Sequence, residues 1–232
     1  MELNFKIKDK SDKSLKLREA NLSTFKKKGF PNKREEDWKF TDLEKVLSEN
    51  FKELHNKQLD NKKPNVQDLK FIHNSITLIN GKLDSFDFKS ENSKDEDYFK
   101  INELHLDQHL NFANELKDNR MQNLNTALHE GGFYLNIKSD YKFKYPIVIY
   151  NYFTGVLKNK MINNSETITM SKNSDATIIE YLIDESEGNF FKNTFKYINL
   201  EENASLNYYF VNKNESNNFF YEFSKVELLK NS

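Results

Sequence analysis

The chain has 232 residues with 35 basic and 36 acidic side chains, and its formal net charge is −1. It contains no cysteine, which excludes disulfide scaffolds, thiolate metal sites and cysteine nucleophiles. The near-neutral charge gives no electrostatic reason to expect nucleic-acid binding. Mean hydropathy is low, at −0.85, yet 14% of the residues are aromatic, and disordered chains are poor in aromatics. We therefore expect a folded protein with a polar surface.

The N-terminus shows no targeting signal. Residues 1–6 lack the apolar run of a signal peptide. No stretch reaches the roughly 18 consecutive apolar residues that a membrane helix needs. The sequence therefore predicts a cytoplasmic protein without a membrane contact.

The first predicted element is a helix that begins near Ser11–Ser14, whose side chains offer N-cap oxygens. Apolar residues recur at helical spacing as far as Phe25. Gly29 follows a run of three lysines, and Pro31 lies just beyond it. Glycine followed by proline is a helix-stop pattern, so we expect the helix to end at this glycine.

A second, short helix is predicted over about residues 42–48. Thr41 and Glu44 have the spacing of a capping box, in which each side chain bonds the backbone of the other. Trp38, the only tryptophan, precedes this helix and follows the proline turn. We favour a packing role over a ligand-stacking role for it, because buried tryptophans mostly contribute packing area.

A β-hairpin is predicted over residues 75–83. Polar residues 51–70 before it are interpreted as a linker or irregular segment. The hairpin has an apolar run, then Asn80 and Gly81, then a second strand. Asn-Gly tolerates the positive φ angles of a type I′ turn, which makes this one of the stronger local signals.

Residues 104–129 show a helical pattern that stops at a pair of glycines. Within it, His105 and His109 are four residues apart, as two metal ligands on one helix face would be. The zinc-protease motif requires a glutamate directly after the first histidine, and Leu106 stands there. We therefore favour two histidines that bind no metal.

From residue 133 onward the pattern changes to strands, and a repeat appears. Residues 168–178 align with residues 198–208 without a gap, and a third copy starts at Val226. Each copy has a strand, a polar turn with asparagine, a small residue and a second strand. Such a repeat favours a stacked β-solenoid over an ordinary antiparallel sandwich. Because the third copy is interrupted and shows no cap, we expect a truncated chain or an open end that a partner covers.

The motifs together resemble the SufB and SufD proteins of the SUF iron–sulfur cluster assembly system. The family signature K-x-E-x-W-K-[YF]-T-x-L after a Gly-x-Pro turn is similar to the segment with Gly29, Pro31, Trp38, Lys39, Phe40, Thr41 and Leu43. Later family motifs are similar to Ile79–Gly81, Leu124–Ala127 with Gly132 and Phe133, Ala176–Glu180, Phe191 with Asn193, and Glu201–Ala204. Single motifs are weak, but their shared order is fairly specific, and SufD is the more similar of the two.

The resemblance implies an α+β fold with two parts. Residues 1–130 would form an N-terminal helical domain with a small β-hairpin, and residues 131–232 an incomplete right-handed parallel β-helix. The implied function is a non-catalytic scaffold subunit that pairs with SufB and the ATPase SufC. The similarity covers about the first half of a typical member, so we expect the SufC contact region to lie beyond Ser232.

No catalytic, cofactor-binding or metal-binding residue is assigned. The chain lacks a P-loop and a nucleophile elbow, so we expect no enzyme activity. It has no thiolate for a cluster, so we expect it to bind no cofactor alone while the complex assembles the iron–sulfur cluster. Two alternatives stay open: a carbohydrate-active enzyme on a β-helix, and an interaction module that recruits a partner by strand addition.

Overall fold

The computed structural model describes residues 1–8, 12–57, 62–65, 67, 69–88, 91, 98–104, 119–212 and 218–232. The helices are α1 (Asp12–Lys28), a 3₁₀ turn (Glu36–Trp38), α2 (Leu43–Asn50) and α3 (Arg120–Leu128). The strands are β1 (Glu2–Asn4), β2 (Glu53–His55), β3 (Asn74–Ile79), β4 (Lys82–Asp87), β5 (Phe99–Glu103), β6 (Gly132–Ile137), β7 (Ile147–Val156), β8 (Lys160–Met170), β9 (Asp175–Glu187), β10 (Phe190–Leu200), β11 (Ser205–Asn212) and β12 (Phe219–Leu228).

The strands form two sheets. One has the order β1-β2-β8-β10-β12, with β6 on β8 and β5 on β6, and the other has the order β11-β9-β7-β3-β4. From β7 to β12 the chain alternates between the sheets, and from β8 onward each strand pairs in parallel with the strand two places earlier. This alternation builds stacked coils, so the predicted α+β fold with a parallel β-helix is confirmed.

The shift between the aligned copies of the sequence repeat equals the number of residues in one coil of the solenoid. Ile198 pairs with Ile168, and Leu206 pairs with Ala176, which is the shift that the alignment predicts. The third copy is also present, but Val226 pairs with Ile198 at a shift of 28 residues. Equivalent apolar positions therefore stack on one another and form a continuous core, which one copy alone would leave exposed.

An asparagine ladder marks the turn of each coil. Asn231 donates to Asn203 Oδ1 at 3.3 Å, Asn203 donates to Asn173 Oδ1 at 3.1 Å, and Asn173 donates to Asp140 Oδ1 at 2.7 Å. All four residues have φ between 58° and 65°. Asparagine and aspartate tolerate this left-handed conformation better than other non-glycine side chains. The turn conformation therefore favours these residues, and their side chains form hydrogen bonds from one coil to the next.

We expect Asn203→Ala to lower the free energy of unfolding by about 1–2 kcal/mol, since alanine is strained at positive φ and both amide hydrogen bonds are lost. Urea denaturation measures the change. Asn207→Ala on the exposed face of β11 is the control and should change stability by less than about 0.5 kcal/mol. Equal losses in both variants would contradict a role for the ladder.

The N-terminal elements pack on the outer face of the seven-stranded sheet. The predicted first helix is confirmed as α1, and Gly29 ends it with φ 69°. Phe25 and Leu124 lie in one buried cluster with Phe191 of β10. Trp38 stacks on Tyr221 of β12 with ring centroids 5.8 Å apart, which agrees with the predicted packing role.

Two local predictions are wrong. The cap of α2 is Asp42 instead of Thr41, because the Asp42 carboxylate accepts from the Lys45 amide at 2.9 Å and so satisfies the third amide of the helix. The segment interpreted as irregular contains β2, which pairs with β1. Three residues show no periodicity of their own, and their strand depends on the distant partner.

The predicted hairpin is confirmed, with φ 52° at Asn80 and 80° at Gly81. It is also part of the solenoid, since Asn74 of β3 pairs in parallel with Ile147 of β7. Strands on either side of the proposed boundary between residues 130 and 131 therefore share a sheet, and that boundary stays a prediction.

The predicted helix over 104–129 is confirmed in its last part by α3, but it is wrong at Leu104 and at Asn119, where the backbone is not helical. Residues 105–118 of that prediction, with His105 and His109, lie outside the described residues. Asn119 caps α3, and its side chain accepts from the Gln122 amide at 3.0 Å. No helix in the described part of the chain is long and apolar enough to cross a membrane.

Candidate functional site: a charged layer inside the β-helix

One layer of charged side chains lies in the interior between the two sheets. On β8, Ile162 and Ile168 belong to separate buried apolar clusters, and Glu166 lies between them. Strands β9 and β10 show the same order, with charged residues between apolar residues of the two clusters. We call the following residues the charged layer: Glu166, Glu180, Lys192, Lys196, Tyr208 and Glu222.

Strand alternation turns these side chains inward. Residues an even number of positions apart on a strand point to the same face of the sheet. Glu166 therefore shares a face with Ile162 and Ile168 on β8, and Lys196 shares a face with Ile198 on β10, all three of them core residues. The parallel register also pairs Glu166 directly with Lys196. The coil repeat therefore stacks an acid on a base inside the solenoid.

Lys196 is the centre of the layer. Its Nζ lies 2.7 Å from Glu180 Oε2, 3.1 Å from Glu222 Oε2 and 3.5 Å from Glu166 Oε2. The Tyr208 hydroxyl donates to Glu180 Oε2 at 2.5 Å, and its ring centroid lies 4.7 Å from the ammonium. Lys196 is only 3% exposed, so three carboxylates share one buried cation.

Glu166 and Lys192 are paired less closely. Glu166 is fully buried, and its Oε1 lies 3.9 Å from Lys192 Nζ. Asn164 Nδ2 donates to the same oxygen at 3.3 Å. Among the described residues, Glu166 Oε2 has no hydrogen-bond donor. The Lys192 ammonium lies over the Phe153 ring, 5.4 Å from its centroid.

The two buried glutamates titrate far apart. Burial and the nearby Glu180 charge raise the pKa of Glu166 to about 7, against the opposing effect of Lys196 and Lys192. Burial also acts to raise the pKa of Glu180, but the two lysines and the hydrogen bonds outweigh it and hold that pKa at about 2. Burial opposes the charge of Lys196, yet the surrounding carboxylates raise its pKa well above the usual range.

These shifts predict opposite effects of pH on stability. Glu180 contributes stability that is present above its ordinary pKa of 4.5 and lost as pH falls toward 2. Glu166 contributes stability that is present below 4.5 and lost as pH rises toward 7.

We therefore expect the free energy of unfolding of Glu166→Gln to increase relative to that of the wild type as pH rises from 5 to 7.5. The increase should be at most about 1.4 kcal/mol per pH unit. Urea denaturation across that range measures the difference. Glu202→Gln, which changes an exposed ion pair on the surface, should follow the wild-type profile. A constant offset between Glu166→Gln and wild type would contradict the prediction.

A cavity of about 230 Å³ adjoins the layer at the side of β11 and β12. Its lining residues are Glu180, Leu182, Lys192, Thr194, Phe210, Phe220, Tyr221 and Glu222. The charged layer provides a buried carboxyl group, that of Glu166, whose raised pKa allows it to hold a proton near neutral pH. The described residues contain no group of three or more potential His, Asp or Glu metal ligands.

Helix α3 is fixed to the opposite face of the same strands. Asn125 Nδ2 donates to the carbonyls of Asn164 at 2.9 Å and Asn193 at 2.8 Å, and Asn125 Oδ1 accepts from Ser165 Oγ at 3.0 Å. All of these residues are buried. The asparagine of the Leu124–Ala127 motif thus holds the helix on β8 and β10, behind the charged layer.

No residue of this layer is predicted as a site residue from the sequence. A signal was present, because Glu166 and Lys196 occupy equivalent positions in successive strands of the repeat and share the parity of core isoleucines. A charged residue at an inward position of a repeat is expensive unless it is paired. Applying the alternation to the aligned copies would have found the pair, although not its contacts with Glu180 and Glu222.

The comparison with known families adds one match. Residues 3–84 match the family described as the SufBD protein N-terminal region. The expected resemblance to the SufB/SufD family is therefore confirmed over this region. No curated protein matches the chain. The matched residues run from β1 to β4, so they reach both sheets of the solenoid.

Proposed function

We propose that the chain is a cytoplasmic, non-catalytic scaffold subunit of the SUF iron–sulfur cluster assembly complex, most similar to SufD. The observation that carries the proposal is the SufBD match over residues 3–84 on a chain that continues as a parallel β-helix. The absence of cysteine supports a scaffold role, because thiolate ligands for the cluster then come from other subunits. The chain binds no cofactor alone, and the cluster is the cargo of the complex.

The contacts between the matched region and the β-helix support a rigid scaffold. Besides the stacking of Trp38 on Tyr221, Arg120 Nη2 lies 3.0 Å from Glu35 Oε2. Phe51 packs edge-on against Phe219, with ring centroids 5.6 Å apart. Residues of the family signature and its neighbours therefore hold α3 and β12, and the two parts would present their surfaces to partners in a fixed relation.

The proposed partners are SufB and the ATPase SufC. The test is co-expression of the tagged chain with SufB and SufC from the same organism, followed by affinity purification and size-exclusion chromatography. We expect SufB to co-purify in a stoichiometric complex and SufC to be recovered only when SufB is present. The tagged chain with SufC alone is the control.

Absence of any association with SufB would overturn the proposal. Direct binding of SufC to the chain alone would overturn the expectation that SufC is recruited through SufB. Iron and sulfide analysis of the purified chain checks the remaining part, since the chain by itself should contain neither.

A further inference from the structure

The charged layer contains more acidic than basic groups. It contains three carboxylates, on Glu166, Glu180 and Glu222, and two ammonium groups, on Lys192 and Lys196. With every group ionised, the interior would hold one uncompensated negative charge. An unpaired charge in a protein interior is costly and is usually removed by a proton.

Glu166 is the group best placed to take that proton. It is faced by Lys192 and Lys196 of β10, Glu180 of β9, Glu222 of β12 and, farther away, the Tyr208 phenol of β11. The strand β7 contributes the neutral amide of Asn151, which donates to Glu180 at 3.2 Å. No further titratable group of the described residues is among the main influences on it.

The hydrogen bonds separate the three carboxylates. Glu180 accepts from Asn151, Lys196 and Tyr208. Glu222 accepts from Lys196 and from Ser224 Oγ at 2.9 Å. Glu166 alone of the three has an oxygen without a donor among the described residues. Its raised pKa agrees with this assignment.

Glu222 is the carboxylate best able to leave the layer. Its side chain is 37% exposed, whereas those of Glu166 and Glu180 are at most 1% exposed. It lies on β12, which among the described strands pairs on one side only within the seven-stranded sheet. Rotation of Glu222 into solvent would restore neutrality in the layer when Glu166 is charged, and it would break the contact between β10 and β12 through Lys196.

We propose that Glu166 is a buried proton-binding group that controls how firmly β12 is held on the β-helix. With Glu166 protonated, Lys196 holds Glu222 and β12 is closed. With Glu166 ionised, Glu222 moves to solvent and β12 opens more often. Because Tyr221 and Phe219 of β12 contact Trp38 and Phe51, opening also weakens the attachment of the N-terminal region.

The test is amide hydrogen exchange of the whole chain at pH 6 and pH 8, corrected for the intrinsic effect of pH on exchange. We expect protection of the β12 amides to fall about tenfold between these values, while the β8 and β10 amides, which exchange only when the whole fold opens, stay better protected than β12 at both pH values. Glu166→Gln mimics the protonated group and should keep β12 equally protected at both pH values.

Two further variants keep the test decisive even if Glu166→Gln folds poorly. Glu222→Gln balances the layer with Glu166 ionised, so the pH dependence of β12 exchange should disappear. Glu227→Gln, on the same strand but outside the layer, should retain the wild-type dependence. Equal pH dependence in wild type and Glu222→Gln, or no pH dependence of β12 in wild type, would overturn the proposal. The test uses the isolated chain, so its outcome is independent of binding to SufB.

Discussion

Gly132→Ala should abolish stable folding of the chain. A Cβ at this position would lie 1.7 Å from the carbonyl oxygen of Ser165, and φ is +139°. Gly132 is the first residue of β6 and pairs with Ser165 in the middle of β8. Because β8 is held on both sides by β6 and β10, its backbone has little freedom to move away. We expect a loss of more than about 4 kcal/mol in the free energy of unfolding.

Soluble yield and urea denaturation measure this loss. Gly29→Ala is the matched control, because that glycine also has a positive φ, +69°, but a Cβ there would meet no atom within 4 Å. It should cost only about 1–2 kcal/mol, the strain of alanine in the left-handed region. If the two variants lost similar stability, the contact with Ser165 would not be the cause.

Lys196→Met should be the most damaging change within the charged layer. It removes the cation that Glu166, Glu180 and Glu222 share and leaves buried carboxylates without it. Breaking one side of a buried ion pair typically costs about 3–5 kcal/mol. The loss should be larger at pH 8 than at pH 5.5, since Glu166 is protonated at the lower value.

Urea denaturation at the two pH values measures this effect. Lys172→Met is the control, because its ion pair with Glu202 is exposed and should contribute less than about 1 kcal/mol. The double variant Lys196→Met with Glu180→Gln should recover part of the loss, since it removes one unpaired charge as well. A double variant less stable than Lys196→Met would show that packing, and not charge, dominates at this position.

The parts of the fold that the sequence predicts are those with a local or periodic cause. The hairpin at Asn80 and Gly81 depends on two residues that tolerate positive φ. The solenoid depends on a repeat in which apolar, turn and apolar positions recur together. Both patterns are complete within the segments that show them, so they can be recognised without knowledge of the rest of the chain.

The first coil was not recognised from the repeat. Its strands β6 and β7 carry no copy that aligns without a gap, because Ile137 pairs with Met170 at a shift of 33 residues. Its turn begins the ladder with Asp140 in place of asparagine. Strand β2 was also not recognised from the sequence, because its three residues form a strand only through pairing with β1. Irregular spacing and distant partners leave no periodic signal.

The amino-acid sequence by itself determined the polar surface, the absence of thiolate chemistry, the stacked coils and the resemblance to the SufB/SufD family. These properties follow from composition and from patterns read along the chain. Only the tertiary structure decided that Glu166, Glu180, Lys192, Lys196 and Glu222 meet inside the β-helix. Their charges come from four different strands, and the energy of a buried charge depends on distances between strands that no single segment encodes.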